Sequence, residues 1–131
     1  MAGNRVSPVE IEFMFTDMIG RLNMPYARLG RTDGRTMGDT PKALGVCRGN
    51  GTGNSIIELD MPKIVKGFTE WHKKYYFPEF LKYATTLTEM VEFILIHELT
   101  HAMKNQELYK LFPYSPELQN KLDKSLFGSH I

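Results

Sequence analysis

The stretch from Thr86 to Met103 constrains this chain more than any other. Thr86-Leu87-Thr88-Glu89 has the form of a capping box: an N-cap hydroxyl and, three residues on, a glutamate, each able to satisfy a backbone N–H that a first helical turn leaves free. Met90, Val91, Phe93, Ile94, Leu95, Ile96, Leu99, Ala102 and Met103 follow, apolar on nearly every side of a helix. A helix without a wide polar face avoids water only by being surrounded. The chain has 131 residues, the size of one ordinary domain with room for one core. A single domain over 1–131 is therefore expected, with this helix central and buried.

The other segments read as what surrounds it. Ser7-Pro8-Val9-Glu10 combines an N-cap serine, a proline at the first helical position and a capping-box glutamate. Ile11, Phe15, Met18 and Leu22 then recur at helical spacing, and Asn23 and Pro25 end the run. Between Tyr26 and Asp60 glycines stand at 30, 34, 38, 45, 49, 51 and 53 and the helical period is lost. Leu44-Gly45-Val46-Cys47 and Ser55-Ile56-Ile57-Glu58-Leu59 read as short strands joined by a glycine-rich loop over 48–54, with a third strand in Tyr26–Arg31. A small antiparallel sheet is the expectation. The segment 63–83, interrupted by Pro78, reads as two short helices or a helix and a loop. A last helix is expected to start at Ser115-Pro116-Glu117 and to run to about Leu126. The fold class is α+β, with helices packed on the small sheet.

Composition excludes several functions. Sixteen basic and fifteen acidic residues nearly cancel, so no global field draws the chain to nucleic acid or to a membrane. The longest apolar run, near Phe93–Ile96, is far too short to span a bilayer. One cysteine, Cys47, rules out an intrachain disulfide framework. The first seven residues hold no apolar run of the secretory type. The expectation is a cytoplasmic protein.

The chemistry lies on the central helix, in His97-Glu98-Leu99-Thr100-His101. Four residues advance a helix by about 6 Å and slightly more than one turn, so both imidazoles leave the same face. Neutral imidazole is a common ligand for Zn²⁺, and two such nitrogens one turn apart can grip one ion. Glu98 is offset around the helix, yet can reach a water on the open side of the metal and take its proton as that water attacks a carbonyl. This is the mechanical content of the H-E-x-x-H pattern. Two histidines do not complete a protein zinc site, for which three protein ligands and a water are usual. The remaining histidines are His72 and His130, and Glu117 and Tyr114 are candidate oxygen donors.

Three stretches together resemble the SprT-like zincin family, whose members include the bacterial SprT proteins and Spartan, a protease of DNA–protein crosslinks. They are an initial helix followed by glycine-rich strands; the Leu44-Gly45-Val46-Cys47 and Ser55–Leu59 hairpin; and Ile94-Leu95-Ile96-His97-Glu98-Leu99-Thr100-His101-Ala102. The resemblance covers roughly residues 7–126. It implies a zinc metallopeptidase in which His97 and His101 bind Zn²⁺ and Glu98 is the general base, with a protein or peptide as substrate. The segment 62–86 is longer than is usual in the family. The family's third histidine opens the next helix in an HG-x-E element, and the matching stretch here is Tyr114-Ser115-Pro116-Glu117. Tyrosine thus stands in the histidine's place, which leaves the third ligand among Tyr114, Glu117 and His130.

An extended substrate would pair with an edge strand, for which Ser55–Leu59 is the candidate. DNA is a further candidate partner. Phe68, Trp71, Tyr75, Tyr76, Phe77, Phe80 and Tyr83 lie among lysines, and Arg21, Arg28, Arg31, Arg35, Lys42 and Arg48 outnumber Asp33 and Asp39. The alternative function is a catalytically weak zincin-fold protein that binds DNA or a protein partner. A zinc hydrolase acting on something other than peptides also satisfies the motif.

Overall fold

The computed structural model describes residues 5–74 and 84–111, with Glu117 and Lys121 beyond them. Among these residues the chain is a small α+β fold with a three-stranded mixed sheet. The elements run α1 (Pro8–Leu22), β1 (Ala27–Leu29), β2 (Gly45–Gly49), β3 (Ser55–Leu59), α2 (Met61–Lys74) and α3 (Leu87–Leu111).

Local chemistry sets the helix ends. The Glu10 N–H donates to the Ser7 hydroxyl at 3.2 Å, and the Ser7 N–H donates back to the Glu10 carboxylate at 3.4 Å. Asn23 ends α1 in the left-handed region, at φ 53° and ψ 54°, which asparagine tolerates better than most residues. Asp60 begins α2 by accepting from the Lys63 N–H at 3.0 Å. The Glu89 N–H donates to the Thr86 hydroxyl at 3.1 Å at the start of α3. The Thr85 hydroxyl, then that of Thr86, donates to the Glu89 carboxylate and holds it below its ordinary pKa.

The sheet departs from the antiparallel expectation. Strand order is β1-β3-β2, with β2 antiparallel to β3 and β1 parallel to β3. Only β2 and β3 are joined by a tight hairpin, which forces antiparallel pairing. The chain leaves β1 through residues 30–44 and comes back to pair on the far side of β3, so β1 and β3 run the same way. Ser55–Leu59 is therefore the central strand. Its backbone is used on both sides, and it cannot receive a substrate as an edge; the edges are β1 and β2.

Strand alternation sorts the side chains. Ile57 and Leu59 face α3 and join the main core with Ile94, Leu95, Leu99 and Ala102 of α3, Ile11 and Phe15 of α1, and Ile64 of α2. Val46 points to the other face, where it packs on Met37 and Ala43. On that same face Arg48 donates from Nε to Glu58 at 2.5 Å and from its other nitrogens to Asp39 and to the Thr36 carbonyl. Lys63 donates to the carbonyls of Pro41 and Ala43. These contacts fasten the long 30–44 connection to the sheet. α3 is central, as its apolar circumference requires, although Ile96 and Thr100 reach water on one side. Among the described residues no helix is long and apolar enough to cross a membrane.

Candidate metal centre

The face of α3 turned to the sheet is not purely apolar. Glu98 is completely buried and His101 is 3% exposed. His97 sits at the border, partly exposed, next to the exposed Ile96. The rings of His97 and His101 have centroids 5.0 Å apart and planes at 68°. Two imidazoles in this relation can converge on one cation, because each turns about its own χ angles to aim a nitrogen at a common point. The helix holds their spacing rigidly: apolar residues 94, 95, 99 and 102 lock α3 into the core around them.

Glu98 lies against the first residue of β2. A β-carbon at Gly45 would come within 3.3 Å of the Glu98 Cγ. The glutamate thus occupies the seam between α3 and β2.

One residue of this row escaped sequence reasoning. Asn105 is buried one turn beyond His101, and its amide nitrogen lies 3.4 Å from the Ser55 hydroxyl and 3.8 Å from the Cys47 sulfur. Among the described residues its amide oxygen is buried with no hydrogen-bond partner. Positions 98, 101 and 105 are separated by three and then four, so a helical wheel could have placed all three on one face. The sheet residues they meet could not have been read that way.

The other candidate donors are not gathered here, so far as the described residues go. Tyr114 and His130 lie outside the described residues, and of His72 only the backbone, in α2, is described. Glu117 is helical and exposed. Among the described residues no group of three or more histidines, cysteines, aspartates or glutamates is arranged to hold a metal. As donors, the two histidines are of a kind that can hold a zinc ion. A surface hollow of about 500 Å³, lined by Arg5, Val6, Ser7, Glu10 and Val65, holds none of these residues.

The arginines suspected of forming a DNA-binding stripe are mostly engaged. Arg21 pairs with Asp17 at 3.0 Å, Arg31 and Arg35 both pair with Asp33, and Arg48 pairs with Asp39 and Glu58. The Arg31 guanidinium beside Asp33, with the Arg35 N–H as a further donor, holds the Asp33 carboxyl far below the usual carboxylate range. Arg28 and Lys42 are exposed and make no ion pair among the described residues. Of the aromatics, Phe68 packs against the main core, and 71–83 carry no described side chains.

No family model matches this chain, and no curated protein or solved structure matches it.

Proposed function

We propose that this chain is a SprT-like, zinc-dependent metallopeptidase, with His97 and His101 as metal ligands and Glu98 as general base. The observation that carries this reading is the pair of imidazoles 5.0 Å apart on a rigid central helix, with a buried carboxylate between them in sequence. Burying a carboxylate and an imidazole costs free energy. Ionisable groups buried at that cost concentrate at functional sites. The third ligand in this reading comes from Tyr114, Glu117 or His130.

A bound Zn²⁺ would polarise the scissile carbonyl and bring the pKa of its water down to about 7. His97 and His101 contribute neutral nitrogens, so each must be deprotonated for binding. Glu98 takes the proton from the attacking water, and its surroundings exclude competing solvent. Substrate is received in extended form along β2. That strand is an edge, with no strand on its far side among the described residues, and it abuts the helix at Glu98. Main-chain pairing there gives affinity with little demand on sequence. A cytoplasmic setting keeps Cys47 reduced.

A second reading is a catalytically weak zincin-fold protein that binds DNA or a protein partner. It is favoured by the complete burial of Glu98 and by the tyrosine at position 114. The engaged arginines speak against DNA as that partner. Zinc content of the purified protein, together with cleavage of an unfolded protein by wild type and by Glu98→Gln, separates the two. An enzyme binds zinc and loses turnover in the variant. A binding protein cleaves nothing in either form.

A further inference from the structure

We propose that Gly45 is a positioning residue for Glu98: its missing side chain makes the space in which the stem of the Glu98 side chain is held. This rests on the reading of Glu98 as general base. Glycine weakens a strand, and where it occurs in ordinary strand geometry it marks a close approach by something else. Gly45 is such a case. It is buried, it pairs with Leu59 in the antiparallel ladder, and it is not among the positive-φ glycines. Its backbone therefore does not require glycine, and space does.

The neighbours show what the space is for. A β-carbon at position 45 would stand 2.9 Å from Ile94 Cγ2, 3.1 Å from Leu59 Cδ2 and 3.3 Å from Glu98 Cγ. Ordinary carbon–carbon contacts lie at about 3.5–4.0 Å. Ile94 and Leu59 are wholly buried and packed in the main core, so neither can retreat freely. β2 is held in turn by its ladder to β3 and by the Asp60 N–H donating to the Leu44 carbonyl at 2.9 Å. An added methyl group must then push on the α3 seam, and Glu98 is the functional side chain there. Its carboxylate lies beyond the contacted Cγ, so a small displacement at Cγ is carried to the oxygens. A general base works only within hydrogen-bond reach of its proton, about 2.6–3.2 Å. The three atoms nearest that β-carbon include none from either histidine.

Two double-mutant cycles test this. The first needs neither metal nor turnover. In the metal-free protein, Gly45→Ala lowers the melting temperature. It lowers it clearly less in a Glu98→Ala background, where the contacted Cγ is gone. Equal losses in both backgrounds would show that Glu98 does not occupy the space and would overturn the proposal. The second cycle reads kcat with zinc bound. Gly45→Ala is expected to cut kcat about 10- to 100-fold with KM and zinc content nearly unchanged, in line with the cost of misplacing a reacting group by up to about 1 Å. In a Glu98→Gln background it should cut kcat no further, because the base it positions is already absent. Multiplying losses, or full kcat in Gly45→Ala, would overturn the positioning role while leaving Glu98 as base. A wild type without turnover, or Glu98→Gln with full turnover, would remove the peptidase reading itself, and this proposal with it. Should Gly45→Ala fail to fold, Gly45→Ala/Ile94→Ala replaces it in both cycles, measured against Ile94→Ala. That pair removes the tightest contact and keeps the one to Glu98.

Discussion

His97 and Glu98 are neighbours in the chain and lie in opposite surroundings: the imidazole is partly exposed at the border of α3, while the Glu98 side chain is fully buried with its Cγ beside Gly45. The helix makes this contrast, since adjacent residues point about 100° apart around its axis. It separates what each side chain is expected to do when removed.

Metal dependence is the first expectation. His97→Ala and His101→Ala should each abolish zinc binding, measured as metal per chain after dialysis. Their metal-free melting temperatures should differ. His101→Ala opens a void in the core and should melt clearly lower, whereas His97→Ala should stay near wild type. Zinc at about a hundredfold over its Kd should stabilise the wild type by about 2.7 kcal/mol and stabilise neither variant. Normal zinc content in either variant would end the assignment.

Glu98→Gln addresses turnover alone. It keeps the side chain's shape and removes the proton acceptor, so cleavage of an unfolded protein should fall by about 10²–10⁴-fold while zinc content holds. Unchanged cleavage would assign the activity to another site or to a contaminant.

The third ligand can be found by subtraction. Tyr114→Phe, Glu117→Ala and removal of the residues from His130 onward should be compared for zinc affinity by competition with a chelator. One of the three should weaken binding strongly and the other two should not. Three wild-type affinities would place the third donor elsewhere in the chain.

Stability should depend on the Arg48–Glu58 pair that joins β2 to β3 beneath the 30–44 connection. Glu58 is 7% exposed, so Arg48→Met leaves a nearly buried carboxylate with Thr36 as its remaining side-chain donor. The expected loss is about 1–3 kcal/mol by denaturant unfolding. Arg48→Met/Glu58→Leu should recover part of it, because no buried charge is left behind. A double variant weaker than Arg48→Met would contradict this account.

Asp33 gives a pH dependence of defined sign. Its carboxyl titrates far below the ordinary range in the folded chain, chiefly through the Arg31 guanidinium. A depressed folded pKa stabilises the fold above the unfolded carboxylate pKa, about 4, and that contribution fades as pH falls below it. The melting temperature of wild type should exceed that of Asp33→Asn at pH 7, by a small margin because the pair is exposed, and the gap should shrink as pH drops from 5 towards 2. The same gap should narrow in about 1 M salt at pH 7. A gap that widens in acid would reverse the argument.

Much of this architecture is legible in the sequence because its causes are local. The capping pairs Ser7/Glu10 and Thr86/Glu89 act within one turn, and helices begin at both. The β2–β3 hairpin is marked by its glycine loop, and the shared face of His97 and His101 follows from helical period alone. The apolar circumference of α3 requires a central position whatever its partners are.

Other features belong to tertiary structure, because their causes join residues far apart in the chain. No local signal says that β3 lies between β1 and β2, and that order moves the candidate substrate edge from Ser55–Leu59 to β2. Arg48, part of a basic excess along the chain, faces Asp39 and Glu58 across a loop and a strand. Asn105 meets Cys47 and Ser55, both remote from it in the chain. Gly45 reads as one glycine among many in its stretch, and only the packing of β2 on α3 sets it against Glu98. Periodicity and capping depend on a few neighbouring residues and can be read in one dimension. Strand order, charge pairing and the fit of a glycine beneath a helix depend on which distant surfaces the core brings together, and only the folded chain decides that.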